Sequence, residues 1–458
     1  MSNPQPLARC AGSPAAPVGI AHLGLGNFFR AHQAWYTGLA PDAAEWGIAA
    51  FTGRSAALAD RMTAQDGLYT LVTKAATGNR FDVVSSVSLA RPAADNDAWS
   101  TVLAAPSTRA LTLTVTEAGY RRGADGDLDR GDPGVLSDLE RLRADPTAAV
   151  TTVPGRLVAG LAARRRADAG PITVIPCDNL ADNGSVVRQV VGSAAELLEP
   201  ALARWIGESV SFVTSMVDRI TPRGTAADSA EVAAATGRTD TCPVITEPFS
   251  EWVLCGDFPA GRPRWDAVGT EFVDDVGPFE RRKLWLLNGA HSLLAYEGSI
   301  RGHVTVSEAM ADDACRDWVQ QWWAEALTHL PFPSAELTRY TDALTERFAN
   351  RSIRHLLAQI AADGSQKLPI RVLPVLALER AAGRIPIAAT RILAAWVVQL
   401  RGGTGGVTDP HAARLVELAA GPLHDAVTRI LDRLDPAVGA DATVVATVVA
   451  HAEELARQ

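Results

Sequence analysis

A carboxylate, an amine, an amide and an imidazole fall close together in the run Glu280-Arg281-Arg282-Lys283-Leu284-Trp285-Leu286-Leu287-Asn288-Gly289-Ala290-His291. Leucine, alanine and lysine favour a helix here, and Gly289 weakens it. At the α-helical rotation per residue, Glu280, Lys283, Asn288 and His291 fall within an arc of roughly 140°, an arc shared with Leu284, Leu287 and Leu294. An ordinary amphipathic helix separates leucines from polar groups. Polar groups set among leucines need partners, or they act. The plain alternative is a boundary helix whose lysine reaches solvent along its own stem and whose Asn and His satisfy each other. The chemical reading is proton transfer. Lysine titrates near ~10.4 in water. Desolvation disfavours the ammonium and can bring an amine to ~7–8, where it acts as a base. Asn288 and His291 can both donate to one oxygen and hold a developing alkoxide. Glu280, one turn before Lys283, would raise the lysine pKa as a carboxylate, so it reads as a proton relay or a gate for water.

The elements that would position such a site begin at the other end of the chain. Val18 to Leu23 reads as a short buried strand, followed by Gly24-Leu25-Gly26-Asn27-Phe28-Phe29-Arg30 and a helical stretch to about Leu39. Strand, glycine turn and helix open a dinucleotide-binding unit. Gly24 allows the tight turn, and Gly26 lets a pyrophosphate approach the backbone. The third glycine of that fingerprint is missing, so the turn by itself is equally an ordinary one. Trp46 to Phe51 reads as the second strand. Its end carries Thr52-Gly53-Arg54-Ser55 where an acid would hold the ribose of NAD. Arg54 and Ser55 suit a 2′-phosphate, which keeps NADP open beside a plain surface arginine. Leu68–Thr73 and Phe81–Val87 read as a strand pair, and Ala110–Val115 as a buried strand ending in Thr116-Glu117-Ala118-Gly119-Tyr120. Ile172–Cys177 is another buried strand leading into Asp178-Asn179-Leu180, which puts Asn179 beyond a carboxyl end, where open parallel sheets bind ligands. Asp178 or Asn183 can instead cap the helix from Ser185 to Leu197. Ser211–Val217 leads to Asp218-Arg219, by default a surface ion pair. Thr241–Leu254 reads as a strand closing the domain.

Several of these runs resemble one family. E-R-R-K-L-W-L-L-N-G-A-H-S is similar to the signature of the polyol-specific long-chain dehydrogenases, which include mannitol 2-dehydrogenase and the fructuronate and tagaturonate reductases. The strings H-L-G-L-G-N-F-F-R-A-H-Q-A, T-E-A-G-Y, C-D-N-L with N-G, M-V-D-R-I-T-P, the Glu-Pro-Phe segment and D-G-S-Q-K-L-P resemble the same family in the same order. The resemblance implies NAD as cofactor, with Gly24, Gly26, Asn27, Phe28 and Arg30 at its phosphates and Thr116 and Glu117 near its nicotinamide. It implies that Asn179 joins Asn288 in holding the reacting oxygen, that Asp218 accepts from substrate hydroxyls, and that a substrate-binding arginine is present, with Arg347, Arg351 and Arg371 as candidates. Lys367 reads as a solvated loop lysine that can also reach the site. His32 reads as a structural residue.

The 458 residues suffice for two or three domains and a large core. A net charge of −9 with mixed signs argues against nucleic acid and acidic membrane surfaces as partners. The longest apolar runs are too short to span a bilayer, and no charged-then-apolar leader opens the chain. Met1 to Pro17 reads as a loose tail. The five cysteines are scattered, without CxxC or a Cys/His cluster, so neither a disulfide framework nor a metal site is indicated and a reducing cytoplasm fits. From about Val276 strand-like runs give way to helical periods, and Trp318, Trp322 and Trp323 read as core.

The expected architecture is therefore α/β: a tail over 1–17, a Rossmann-type cofactor domain over 18–275 and a mostly α-helical catalytic domain over 276–458. Small ligands usually bind where such domains meet. The expected function is a metal-independent NAD(P) oxidoreductase interconverting a polyol and a ketose, mannitol and fructose first, with fructuronate or tagaturonate and their aldonates as the alternative. Lys283 is its base. The contrasting class is a dinucleotide-binding sensor, which would need no base. Nothing in the sequence reads as a dedicated dimer helix, and the resemblance implies a monomer.

Overall fold

Six strands of the first half carry almost unbroken apolar runs, a pattern that suits a sheet covered on both faces. In the computed structural model, which describes residues 4–10, 13–53, 55–402 and 408–457, these are β1 (Val18–Leu23), β2 (Gly47–Phe51), β3 (Val87–Arg91), β4 (Ala110–Leu113), β5 (Ile172–Pro176) and β6 (Val210–Phe212). They lie side by side in the order β3-β2-β1-β4-β5-β6, every neighbouring pair parallel. This is the doubly wound order of dinucleotide-binding sheets, and the strand sequence reverses between β1 and β4. Side chains alternate across the sheet. Ile20 joins a core with Phe29, Ile48 and Trp252 on one face. Ala21 joins another with Leu111, Val158 and Val187 on the opposite face, under helices Asn96–Ala104, Val153–Arg166 and Asn183–Leu198.

Backbone contacts divide the chain into two compact units, Met1–Gly277 and Pro278–Gln458. In the first unit the expected tail is partly tied down. Gln5–Pro6 pairs with Arg238–Thr239, and Arg9 donates to the carbonyl oxygens of Asp66 at 3.0 Å and Ser85 at 2.7 Å. The expected strand Phe81–Val87 is two elements. Gly78–Val84 forms a hairpin with Tyr69–Ala75, and β3 starts afresh at Val87. The break falls at Ser85-Ser86, where the Ser86 hydroxyl leaves the ladder to donate to the Ala34 carbonyl at 2.6 Å. The run 241–254 likewise divides. Val244–Thr246 joins the hairpin, and Glu251–Cys255 pairs with Thr214–Asp218 in a third sheet.

The second unit is helical, with Trp322 and Trp323 fully buried at its centre. The helix expected over 352–362 shrinks to Leu357–Ala361, because the segment before it pairs as a bridge between Thr305 and Leu356. The D-G-S-Q-K-L-P run is a helix, Gly364–Arg371, and not a loop. Asp363 in the left-handed conformation (φ 59°) turns the chain into it. Among the described residues no helix is long and apolar enough to cross a membrane, and all five cysteines are free thiols.

Candidate active site

The glycine turn sits at the carboxyl end of β1, on the side of the sheet where the order reverses. Gly24 has φ +113°, and a Cβ there would lie 2.4 Å from the Thr114 carbonyl oxygen, so β1 can approach the end of β4 only with glycine at this position. The Thr114 hydroxyl closes the junction by donating to the Gly24 carbonyl at 2.9 Å. Gly26 differs. A Cβ there would meet only the Gly24 carbonyl, at 3.4 Å. Protein packing makes little demand for that glycine, and the open space above it suits a pyrophosphate against the backbone. Helix Asn27–Ala31 follows and breaks at His32, where the expected single helix becomes two, the second being Gln33–Leu39. The His32 ring is buried against the Glu251 carbonyl at 2.9 Å and stacks on Phe28, a structural post.

Arg30 turns inward. Its guanidinium donates to the Gly26 carbonyl at 3.2 Å, the Asn27 side-chain oxygen at 2.8 Å and the Cys242 carbonyl. Those bonds brace the turn and orient Asn27. His22, under the turn, is stacked on Phe29 and bonded to the hydroxyls of Thr112 and Thr114. Burial pushes its pKa down to about 3, so it is neutral. Arg54 lies outside the described residues.

Thr116 and Glu117 follow β4, and Asn179 follows β5. All three are exposed beyond the carboxyl ends of strands. Asp178 does not cap the next helix. It is buried, it accepts from the Tyr120 hydroxyl at 2.5 Å, and burial raises its pKa. Asn183 is no cap either. It is the first helical residue, and its amide bonds both the Ser215 N–H (2.9 Å) and the Ser215 carbonyl (3.0 Å), tying this loop to strand Thr214–Asp218. Asp218 ends that strand and is buried. Arg219 turns away to donate to the carbonyls of Glu247 (3.1 Å) and Ala31. The two therefore do not form the exposed pair that neighbouring Asp and Arg suggest.

The second unit carries the Glu280–His291 motif, with one departure from expectation. The α-helix expected over the motif is interrupted. Gly277–Arg282 and Ala290–Ile300 are α-helical, and Lys283–Gly289 between them is a π-helix. In an α-helix, Lys283 and Asn288 would stand about 140° apart. Bonding from i to i+5 puts more residues in each turn and so narrows that angle. The wide turn therefore brings Lys283 and Asn288 closer to one line along the helix than regular geometry, which would set them at opposite edges of the face. Both side chains are half-buried, as is Glu280. Two indoles hold the segment: Trp322 donates to the Trp285 carbonyl and Trp323 to the Leu286 carbonyl, each at 2.8 Å. Gly289 makes room for them, since a Cβ there would lie 2.6 Å from the Trp322 ring.

His291, on the next turn, is buried, with its Nε2 unpartnered among the described residues. It packs on Phe348 at 4.7 Å and edge-on to His355 at 4.9 Å. Burial first, then His355, Arg347 and Arg371, hold its pKa well below the usual value. A neutral imidazole with a free ring nitrogen can donate to an oxygen without carrying charge. Ser292 donates to the Asn288 carbonyl at 3.1 Å and accepts from Arg371 at 3.3 Å. Of the three candidate arginines, Arg347 and Arg371 stand near His291, and Arg351 is exposed. Lys367 is half-buried, donates to the Ile360 carbonyl at 3.2 Å, and has its pKa lowered by burial and by Arg371. Ser292 and His355 were not singled out from the sequence, and no local signal marks them. A separate group, His303, Asp312 and Cys315, also comes together. There Asp312 already accepts from Arg301 at 2.7 Å and the Ala314 N–H at 2.9 Å, and bonds the His303 ring at 2.9 Å.

Comparison with known proteins places this geometry. Residues 18–267 match the family description "Mannitol dehydrogenase Rossmann domain", and residues 275–456 match "Mannitol dehydrogenase C-terminal domain". The chain is 40% identical over 364 residues to the D-mannonate oxidoreductase of Escherichia coli (strain K12), covering 77% of this chain and 74% of that one. Among solved structures it is similar to a D-sorbitol dehydrogenase in substrate-free form, with a TM-score of 0.90, 29% identity, and 100% and 96% coverage. It is also similar to the Pseudomonas fluorescens mannitol 2-dehydrogenase in ternary complex with NAD and D-mannitol, with a TM-score of 0.77, 34% identity, and 98% and 93% coverage.

Proposed function

Since the chain belongs to the mannitol dehydrogenase family, we propose that it is an NAD-dependent oxidoreductase interconverting a secondary hydroxyl and a ketone on an open-chain polyol or sugar acid. The observation that carries this reading is the π-helical turn over Lys283–Gly289, which holds both Lys283 and Asn288, with a neutral His291 just beyond it whose Nε2 is unpartnered among the described residues. Lys283 takes the hydroxyl proton onto its Nζ. Asn288 and His291 donate to the oxygen left behind, which gathers negative charge as the carbon loses hydride. Asn179 is assigned the same donor role and Asp218 the binding of a substrate hydroxyl. Glu280 is assigned the relay of the lysine proton to solvent. When bound, the nicotinamide supplies the hydride acceptor. Gly24, Gly26, Asn27 and Phe28 would receive its phosphates with Arg30 as brace, and Thr116 and Glu117 would flank the nicotinamide end.

Mannitol with fructose is the neutral form of this reaction, and mannonate with fructuronate the acidic form. Both follow from the same base and donors. Five free thiols suit a reducing compartment such as the cytoplasm. Absorbance of the reduced nicotinamide, on mixing the protein with NAD or NADP and a panel of hexitols, pentitols and aldonates, tests the assignment. Turnover with NAD on at least one of them is expected. Tight NAD binding without turnover on any would favour a sensor.

A further inference from the structure

The second unit holds cationic and donor groups near the π-helix, and Arg371 stands out among them. Arg371 has no ion pair among the described residues. One of its nitrogens reaches Ser292 at 3.3 Å, and its Nε is buried without a partner. The Tyr296 hydroxyl is buried and unpartnered, as is Nε2 of His291. Arg347, Lys367 and His355 complete the group. Asp363 and Asp409 raise the Lys367 pKa against its burial, and the Asp409 carboxylate is occupied by the Ser365 N–H at 2.9 Å and hydroxyl at 2.8 Å. An unmatched guanidinium in a desolvated setting is costly unless an anion arrives to pair with it. Its planar fork fits a carboxylate in particular.

We infer that the substrate is an open-chain sugar acid and that Arg371 binds its carboxylate, assisted by Arg347 and the donors of Tyr296 and His291. This deepens the proposed function and rests on it. A neutral hexitol would leave Arg371 unpaired, so the site discriminates against it by more than the loss of one contact.

The test is kcat/KM of the full chain with NAD for D-mannonate and for D-mannitol, in wild type and in Arg371→Met and Arg371→Lys. Wild type is expected to favour mannonate by roughly 10²-fold or more, the scale of a lost charge-assisted hydrogen bond. Arg371→Met should collapse that ratio mainly through KM for the acid, and Arg371→Lys should keep part of it. Mannitol turned over as well as mannonate, or a ratio unmoved in Arg371→Met, overturns the inference and leaves the proposed function standing. Turnover of neither, nor of any polyol, with NAD or NADP sinks both. If Arg371→Met fails to fold, the wild-type ratio and Arg371→Lys still decide.

Discussion

Three side chains carry the chemistry of this reading, and they are placed for two different reasons. Lys283 and Asn288 are brought closer to one line by backbone bonding, whereas His291 is held neutral by burial and by the cations around it. A neutral donor suits an alkoxide that must later collapse to a ketone, because it stabilises charge without offering a proton outright. Replacing Asn288 with alanine is therefore expected to lower kcat by roughly 10²-fold, the scale of one lost oxyanion donor. Steady-state kinetics check this, and a change confined to KM would assign Asn288 to binding alone. At this scale the sequence nominates candidates inside the motif by type and spacing, and outside it only by resemblance. Lys283, Asn288 and His291 announce themselves by type and spacing. Arg371 meets Ser292 across 79 positions, and His355 reaches His291 from a different segment, so no local pattern picks Arg371 from the three candidate arginines or marks His355.

At the scale of elements, the π-helix and the glycine turn are the two devices on which the proposed function rests. Both depend on a glycine, for different physical reasons. Gly289→Ala would push a methyl into a fully buried indole, which is expected to cost about 1–3 kcal/mol. Its loosened Trp285 and Leu286 carbonyl contacts should lower turnover as well as the thermal midpoint, and calorimetry with kinetics on the same sample reads both. Gly24→Ala meets backbone at 2.4 Å and a φ of +113°. Its predicted effect is weakened NAD affinity, measured by fluorescence titration, and an alanine variant binding NAD normally would remove the turn from the cofactor site. Buried strands with uniform apolar character, β1, β2, β4 and β5, could be read directly from the chain. β3 could not, because Val87–Arg91 follows the hairpin strand after only two serines and the pair reads as one run. The π-helix was also invisible to residue counting. Its signals, Gly289 and the paired tryptophans, make sense only once the tryptophans are known to pack on the same turn.

For the molecule as a whole, the change from strand-like to helical periods near Val276 was legible in the chain, and the structure separates its two units at Gly277. Stability should reflect the buried histidines. His22 has its folded-state pKa depressed to about 3, and His291 is depressed likewise. A histidine depressed in the folded state contributes stability that is complete above its unfolded pKa near ~6.5 and is lost as the pH falls below that value. For His22 the loss continues towards pH 3 and amounts to about 2 kcal/mol between pH 7 and 5. Urea midpoints across that range should fall in wild type and fall less steeply in His22→Leu, which is less stable at pH 7. Equal slopes would show that His22 does not titrate as described. The central claim is that an amine takes the proton while the nicotinamide takes the hydride. Its most direct measurement is reduced-nicotinamide absorbance for Lys283→Ala beside wild type on the preferred substrate at neutral pH, with NAD affinity titrated in both. Near-complete loss of turnover with NAD affinity close to wild type is the predicted result, and turnover retained in Lys283→Ala would contradict it.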